Sequence, residues 1–353
     1  MRIHVPSRWL IVMVALAAVP LALRAEPFSA LRFEQYIESL RLQAGIPGLS
    51  AAIVQNRVLA WERGFGLADV ERAVAATPDT PFPVSGLTSS FSAVEALQCV
   101  EQGLLTLDTP VVSFFPAFPE PVTRLGDVLR HVAPSGRFVY DPERYDAVAA
   151  AVKSCSGKTL RAALTDHVLD RLGMARSVPG HDFPVWSGGT REQFPAETIE
   201  RFQAVMAQLA RAYKSNGKGK PALTTFAPTS GLTGSTGMVS TVRDLAQFQV
   251  ALEDGVLLQP DTLKAAWTAT TLTDGRLAPH GLGWFVQVFE GQLVAWQFGV
   301  IPDAYSSLVI TLPQREVTLI LLANSDGLVA PFPLANGDVS VSPFARFFIR
   351  LFS

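Results

Sequence analysis

No lysine precedes Lys153 in this 353-residue chain, and neither lysine nor histidine follows His280. Any chemistry that needs a primary amine as base is therefore excluded from the first 152 positions. Positive charge is scarce overall: 29 Lys and Arg stand against 31 Asp and Glu, a formal net charge of -2. That balance leaves no cationic surface for nucleic acid, whose binding rests on phosphate neutralisation. The one lysine cluster, Lys214, Lys218 and Lys220 in KSNGKGK, reads as a solvated glycine-rich loop. Cysteine is reduced to Cys99 and Cys155, too few for a disulfide-dense scaffold. Each sits late in an apolar helical pattern, and two buried thiols are the preferred reading over a disulfide, because their separation in space is not legible from sequence. No metal-ligand spacing, cofactor fingerprint, internal repeat or low-complexity segment is present.

Long apolar runs are also missing. The longest at the N-terminus, Trp9 to Leu23, covers 15 residues, short of the ~20 that cross a bilayer. Arg2 and Arg8 precede it, and Ala22 and Ala25 offer small residues for a cut before Glu26, the layout of a secretory signal. The chain is expected to be exported, periplasmic or secreted, with residues 1–25 removed. An uncleaved anchor is the alternative, since Leu23 and Arg24 are imperfect flanks. No cysteine follows the run to carry a lipid.

What is abundant is apolar surface: 48% of residues are hydrophobic and 17% charged, enough for a large core. Leu31, Phe33, Ile37, Leu40 and Leu42 recur at helical spacing, predicting a helix over 29–44 that Ile46-Pro-Gly ends. Two β-rich runs, 49–54 and 58–66, flank Gln55-Asn56-Arg57 and read as a hairpin at a sheet edge. Residues 88–102 place Phe91, Val94, Leu97 and Val100 on one helical face and stop at Gly103. Further helical patterns cover 124–131, 145–154, 160–172 and 197–213, followed by 241–252. Strands are predicted at 283–290, 305–312 and 317–323, and a closing helix at 343–352.

Several segments together carry a resemblance. FPVSGLTSSFSAVEALQCVEQGLLTLDTPV at 82–111, LGDVLRHVAPSG at 125–136, the region of Tyr140, SGKTLRAALTDHVLDRLGM at 156–174, GMVSTVRDLAQF at 237–248, GLGW at 281–284 and YSSLVITLPQREVTLILLANSDG at 305–327 occur in an order that resembles the class C β-lactamase and penicillin-binding-protein superfamily of serine acyl-transferring enzymes. The resemblance covers roughly residues 30 to 325. It implies an α/β (α+β) fold of the β-lactamase/transpeptidase type: an antiparallel sheet built from both chain ends and flanked by helices, plus a helical subdomain. The sheet part is assigned to 26–103 and 231–353, the helical subdomain to 104–230, all within one β-lactamase-related domain from 26 to 353.

The reactive groups that the resemblance requires are absent. A serine and a lysine three residues later should share one face at the start of a helix, the lysine taking the serine proton. Matching on Thr88 and Phe91 puts Gly86 at the serine's place and Ser89 at the lysine's. The family's Tyr-x-Asn is represented by Tyr140 and Pro142, and the strand motif Lys-Thr-Gly or His-x-Gly by Gln297-Phe298-Gly299. His131 matches a histidine that reads as structural and hydrogen-bonded. Two backbone amides, of Gly86 and Val300, remain where the family forms its oxyanion hole.

The implied function is that of a catalytically inactive relative with a ligand-binding or regulatory role in the cell envelope. Gly86, Ser89, Tyr140, Gln297, Gly299 and Val300 are its candidate ligand contacts, with no metal or cofactor. A small-molecule or peptidoglycan-like ligand and an envelope protein are the candidate partners. The alternative is an active serine hydrolase, of β-lactamase, esterase or D-amino-acid peptidase type, using Ser85, Ser89 or Ser90 with Tyr140. On sequence grounds, Gly86→Ser combined with Ser89→Lys is expected to revive slow acylation.

Overall fold

The computed structural model describes residues 26–214, 221–226 and 231–353. The proposed signal segment, together with Lys218 and Lys220, lies outside the described residues. Helix α1 (Glu26–Gln43) leads into strands β1 (Gly48–Gln55) and β2 (Val58–Asp69). Asn56 and Arg57 both take positive φ, 52° and 61°, the mirror-image turn whose twist matches that of the strands it joins. Short β3 (Val74–Ala75) and β4 (Phe82–Pro83) precede helix α2 (Thr88–Glu101).

Residues 104–230 carry α3 (Leu125–Leu129), α4 (Pro142–Tyr145), α5 (Ala147–Ser156), α6 (Leu160–Leu164), a π-helical turn at Thr165–Asp170, α7 (Gly188–Arg191) and α8 (Ala196–Met206). A small hairpin of β5 (Tyr213–Lys214) and β6 (Ala222–Leu223) follows. The C-terminal part adds β7 (Val239–Ser240), α9 (Val242–Glu253), α10 (Pro260–Ala266), β8 (Phe285–Phe289), β9 (Gln292–Ile301), β10 (Tyr305–Leu312), β11 (Val317–Ala323) and α11 (Pro343–Phe352).

Both chain ends build one seven-stranded sheet in the order β3-β2-β1-β11-β10-β9-β8, antiparallel throughout. Strands β1 and β11 meet in the middle, with Ala51 opposite Leu321. Alternation then sorts side chains between two cores. Leu49, Ala51, Ile53, Leu319 and Leu321 join Phe33 and Ile37 of α1 and Phe344 and Phe348 of α11 on one face. Ala52, Val54, Ile320 and Leu322 join α2, α9 and the helical region on the other. A strand such as VTLILLA is apolar at nearly every position because helices cover both of its faces.

Three sequence expectations need correction. The helix predicted over 197–213 ends at Met206, because the following backbone is drawn off by tertiary partners: Ala210 N–H donates to Pro81 O and Arg211 N–H to Ala68 O. The 160–172 pattern is a short α-helix that widens into the π turn. Cys99 and Cys155 are not two free thiols but form a disulfide, their Cα atoms 6.1 Å apart across a 56-residue separation. Packing of α2 on α5 brings them together, which the sequence could not show.

Candidate functional site

The site grows from a turn pinned on all sides. Strand β4 pairs with β7, Phe82 opposite Ser240, and Val84 N–H donates to Met238 O at 2.9 Å. The chain then reverses through a 3₁₀ turn at Ser85–Leu87 into α2. Ser85 takes φ 47°, a left-handed conformation that costs about 1–2 kcal/mol for a non-glycine residue. It persists because the sheet holds the turn: Ser307 Oγ donates to Val84 O at 2.7 Å and Ser85 Oγ to Val300 O at 2.9 Å.

Gly86 sits against β9. A Cβ built there would collide with the carbonyl oxygen of Phe298 and lie 3.3 Å from Gly299 Cα. Reciprocally, a Cβ on Gly299 would lie 2.6 Å from Gly86 N. The strand backbone thus occupies the volume into which a serine side chain at this position would project. Steric conflict therefore weighs against the expectation that Gly86→Ser with Ser89→Lys would revive acylation, since β9 backbone must shift before a side chain fits at this position.

Among the described residues, the hydroxyls of the candidate serines are hydrogen-bonded to no carboxylate, imidazole or amine. Ser85 and Ser90 donate to backbone carbonyls, Val300 O and Gly283 O, and Ser89 is buried, its own carbonyl accepting from the Tyr145 hydroxyl at 3.3 Å. Tyr140 packs on His131, Phe285 and Phe298 with centroids 4.8–5.5 Å apart. Burial pushes its phenol up to about 12, which favours the neutral form near pH 7. Pro142 opens α4, with Asp141 as the N-cap accepting from Glu143 N and Arg144 N. Where the family's asparagine would reach into the cleft, this chain starts a helix.

His131 is buried and accepts from Asp141 N–H at 3.2 Å through Nδ1. Burial, then the neighbouring His280 and Arg144, hold its pKa well below the usual value. His280, in edge contact at 4.8 Å, is pushed down to about 4 by burial.

A cleft of about 1040 Å³ opens beside this turn. It is lined by Ser85, Gly86, Tyr140, Gly299 and Val300 among the predicted residues. Ser89 and Gln297 do not line it: Gln297 points into the interior, its Nε2 donating to Gly283 O at 3.3 Å. Gln297 and Gly299 share one face of β9, and it is Gly299, beside the Val84–Gly86 turn, that reaches the cleft.

The sequence reading missed Glu143, Asp146, His181, Ser235, Thr236 and Asp303, which also line the cleft. The glycine- and threonine-rich stretch GLTGSTG at 231–237 was the available signal of a loop there. A second cavity of about 740 Å³ lies across the wall formed by Thr224–Phe226 and contains none of the motif residues.

A large antiparallel sheet, a buried helix opening on its edge and a cleft at that junction define the β-lactamase/transpeptidase class of fold. The Beta-lactamase family profile matches residues 33–339, and the chain belongs to that family, within the β-lactamase-like serine hydrolase superfamily. It is 22% identical over 344 residues to Protein flp of Staphylococcus aureus, covering 82% of this chain and 62% of the relative, so it spans about three fifths of that protein's length. A shorter stretch of 101 residues is 32% identical to the mitochondrial serine beta-lactamase-like protein LACTB of Mus musculus, covering 27% of this chain and 18% of that one.

Among solved structures, D-amino acid amidase from Ochrobactrum anthropi superposes with TM-score 0.68 at 20% identity, over 90% of this chain and 99% of that one. A class C beta lactamase from Rhodobacter sphaeroides does so with TM-score 0.66 at 16% identity, over 92% and 99%. At those identities the structural likeness speaks to the fold.

Proposed function

We propose that this chain is a non-catalytic member of the family that holds a small molecule or peptidoglycan-like fragment non-covalently in its cleft and works in the cell envelope, alone or with an envelope protein partner. The observation that carries the reading is the pairing of Gly86, at the nucleophile position, with β9 backbone seated where its side chain would be. Losing the nucleophile in a measured serine protease costs roughly a millionfold in turnover, and here the base is missing as well. The cleft itself is open and lined by hydroxyls, carboxylates and aromatic rings, which favours binding over a vestigial groove. The Cys99–Cys155 disulfide supports export, because such bonds persist in oxidising compartments.

The test is exposure of the purified protein to a fluorescent penicillin, followed by intact-mass measurement. The proposal expects no acyl adduct, and no hydrolysis of nitrocefin or short-chain esters above background. A stoichiometric adduct on Ser85, Ser89 or Ser90 would establish the hydrolase alternative instead.

A further inference from the structure

We infer that the cleft selects ligands carrying an ammonium or similar organic cation and rejects carboxylates, a step that rests on the ligand-binding reading above. Its titratable lining is Tyr140, Glu143, Asp146, His181 and Asp303, and no lysine or arginine lines it among the described residues. Of the three carboxylates, Asp303 is answered by Lys214 at 3.1 Å. Asp146 is held by neutral donors, its Oδ1 accepting from Ser235 N at 3.2 Å and Ser235 Oγ at 2.8 Å. Those bonds fix the carboxylate without cancelling its charge.

Glu143 projects from the first turn of α4 and makes no ion pair among the described residues, while the adjacent Arg144 is turned away to Glu120 at 2.7 Å. The position at which the family carries a cation is the neutral Gln297, which faces the interior. Among the described residues, two carboxylates without an ion-pair partner therefore face a cavity lined by no lysine or arginine that could receive an acid.

Apolar contacts complete the site. Phe226 stands edge-on to His181 and Tyr305, at 5.4 and 5.2 Å, and Tyr140 lies against Phe298 elsewhere in the lining. Aromatic rings attract a cation through their faces and an apolar body through burial. A carboxylate entering the same space gives up hydration and meets like charge. The ligand class that fits is an amine with an apolar or aromatic body.

Three probes with one phenyl body separate the possibilities: 2-phenylethylamine, 3-phenylpropanamide and 3-phenylpropionate, titrated by ligand-observed NMR at low and high salt. The amine should bind at least about tenfold more tightly than the carboxylate, with the amide between them and the gap narrowing as salt screens it. Glu143→Gln should erase most of the amine's advantage, and Asp146→Asn should reduce it further. Because Asp146 also holds Ser235, the exposed Glu143→Gln variant is the one whose fold is safe. Equal or tighter binding of the carboxylate, or an unchanged preference in folded Glu143→Gln, overturns the charge selection and leaves the non-catalytic cleft standing. Failure of all three probes to bind overturns both the selection and the cleft as a ligand site, while the absence of acylation remains a separate result.

Discussion

Replacing Gly86 by alanine puts the packing of β9 on the nucleophile turn to a direct test. The added Cβ would overlap the Phe298 carbonyl oxygen, and about 1 Å of relative movement is needed to restore an ordinary carbon–oxygen contact. The backbone of Gly86 is not in the left-handed region, so alanine is conformationally acceptable there and the conflict is steric alone. Strand β8 pairs with β9 only from Gln292 to Trp296, leaving Phe298 unpaired on that side and able to yield. Overpacking of this kind costs about 1–3 kcal/mol, offset by the roughly 0.4–1 kcal/mol that glycine-to-alanine gains from the unfolded chain. A net loss of about 1–2 kcal/mol is expected, seen by urea unfolding as a lower midpoint at unchanged slope.

Gly189→Ala, where nothing lies within 4 Å of the new Cβ, is the control and should be neutral or slightly stabilising. Gly86→Ser with Ser89→Lys should be less stable still, since Ser89 is buried and a lysine there lacks a counter-ion. That double variant should remain unlabelled by penicillin. A Gly86→Ala protein as stable as the parent, or a labelled double variant, would refute the packing argument.

Reducing the Cys99–Cys155 bond, or replacing both residues by alanine, should cost about 2–4 kcal/mol, since closing a loop of 56 residues removes roughly that much freedom from the unfolded chain; an intact mass showing two free thiols in the protein purified without reductant would contradict it. His167 Nδ1 lies 3.0 Å from the buried Glu95 carboxylate, and this hydrogen bond raises the histidine's pKa, with Lys158 and Asp166 nearby. Its contribution is present in full below the unfolded value near 6.5 and is lost as pH rises through the raised folded value. The stability difference between the parent and His167→Gln should therefore shrink from about pH 6.5 upward, as measured by unfolding at each pH. His280, depressed to about 4, acts in the opposite direction: the unfolded chain takes up its proton from about 6.5 downward and the folded one does not, so stability should fall across that window. His280→Gln should flatten the fall.

Much of the fold was legible because it depends on local pattern. Apolar alternation and helical spacing locate β10, β11 and α11 to the residue, since a strand or helix buried on defined faces must repeat its apolar positions with the period of its backbone. The identities at the motif positions were legible too: glycine at position 86, and no lysine before Lys153, need no coordinates to be read.

What pattern could not supply were facts of approach between distant segments. Whether Cys99 meets Cys155 is decided by how α2 lies on α5. The end of α8 was decided by Pro81 and Ala68 drawing off the next turn's backbone. Gln297 and Ser89 match the motif positions, yet packing against Gly283 and within α2 puts them inside. The carboxylates of Glu143 and Asp146 had no motif to announce them and became cleft residues only when α4 and the 231–237 loop were folded onto one rim. Sequence by itself determined which reactive groups are absent, because absence is a property of composition. Tertiary structure alone decided that β9 fills the place they left, because that depends on segments as far apart as Ser85 and Val300, 215 residues along the chain, coming to rest within contact distance.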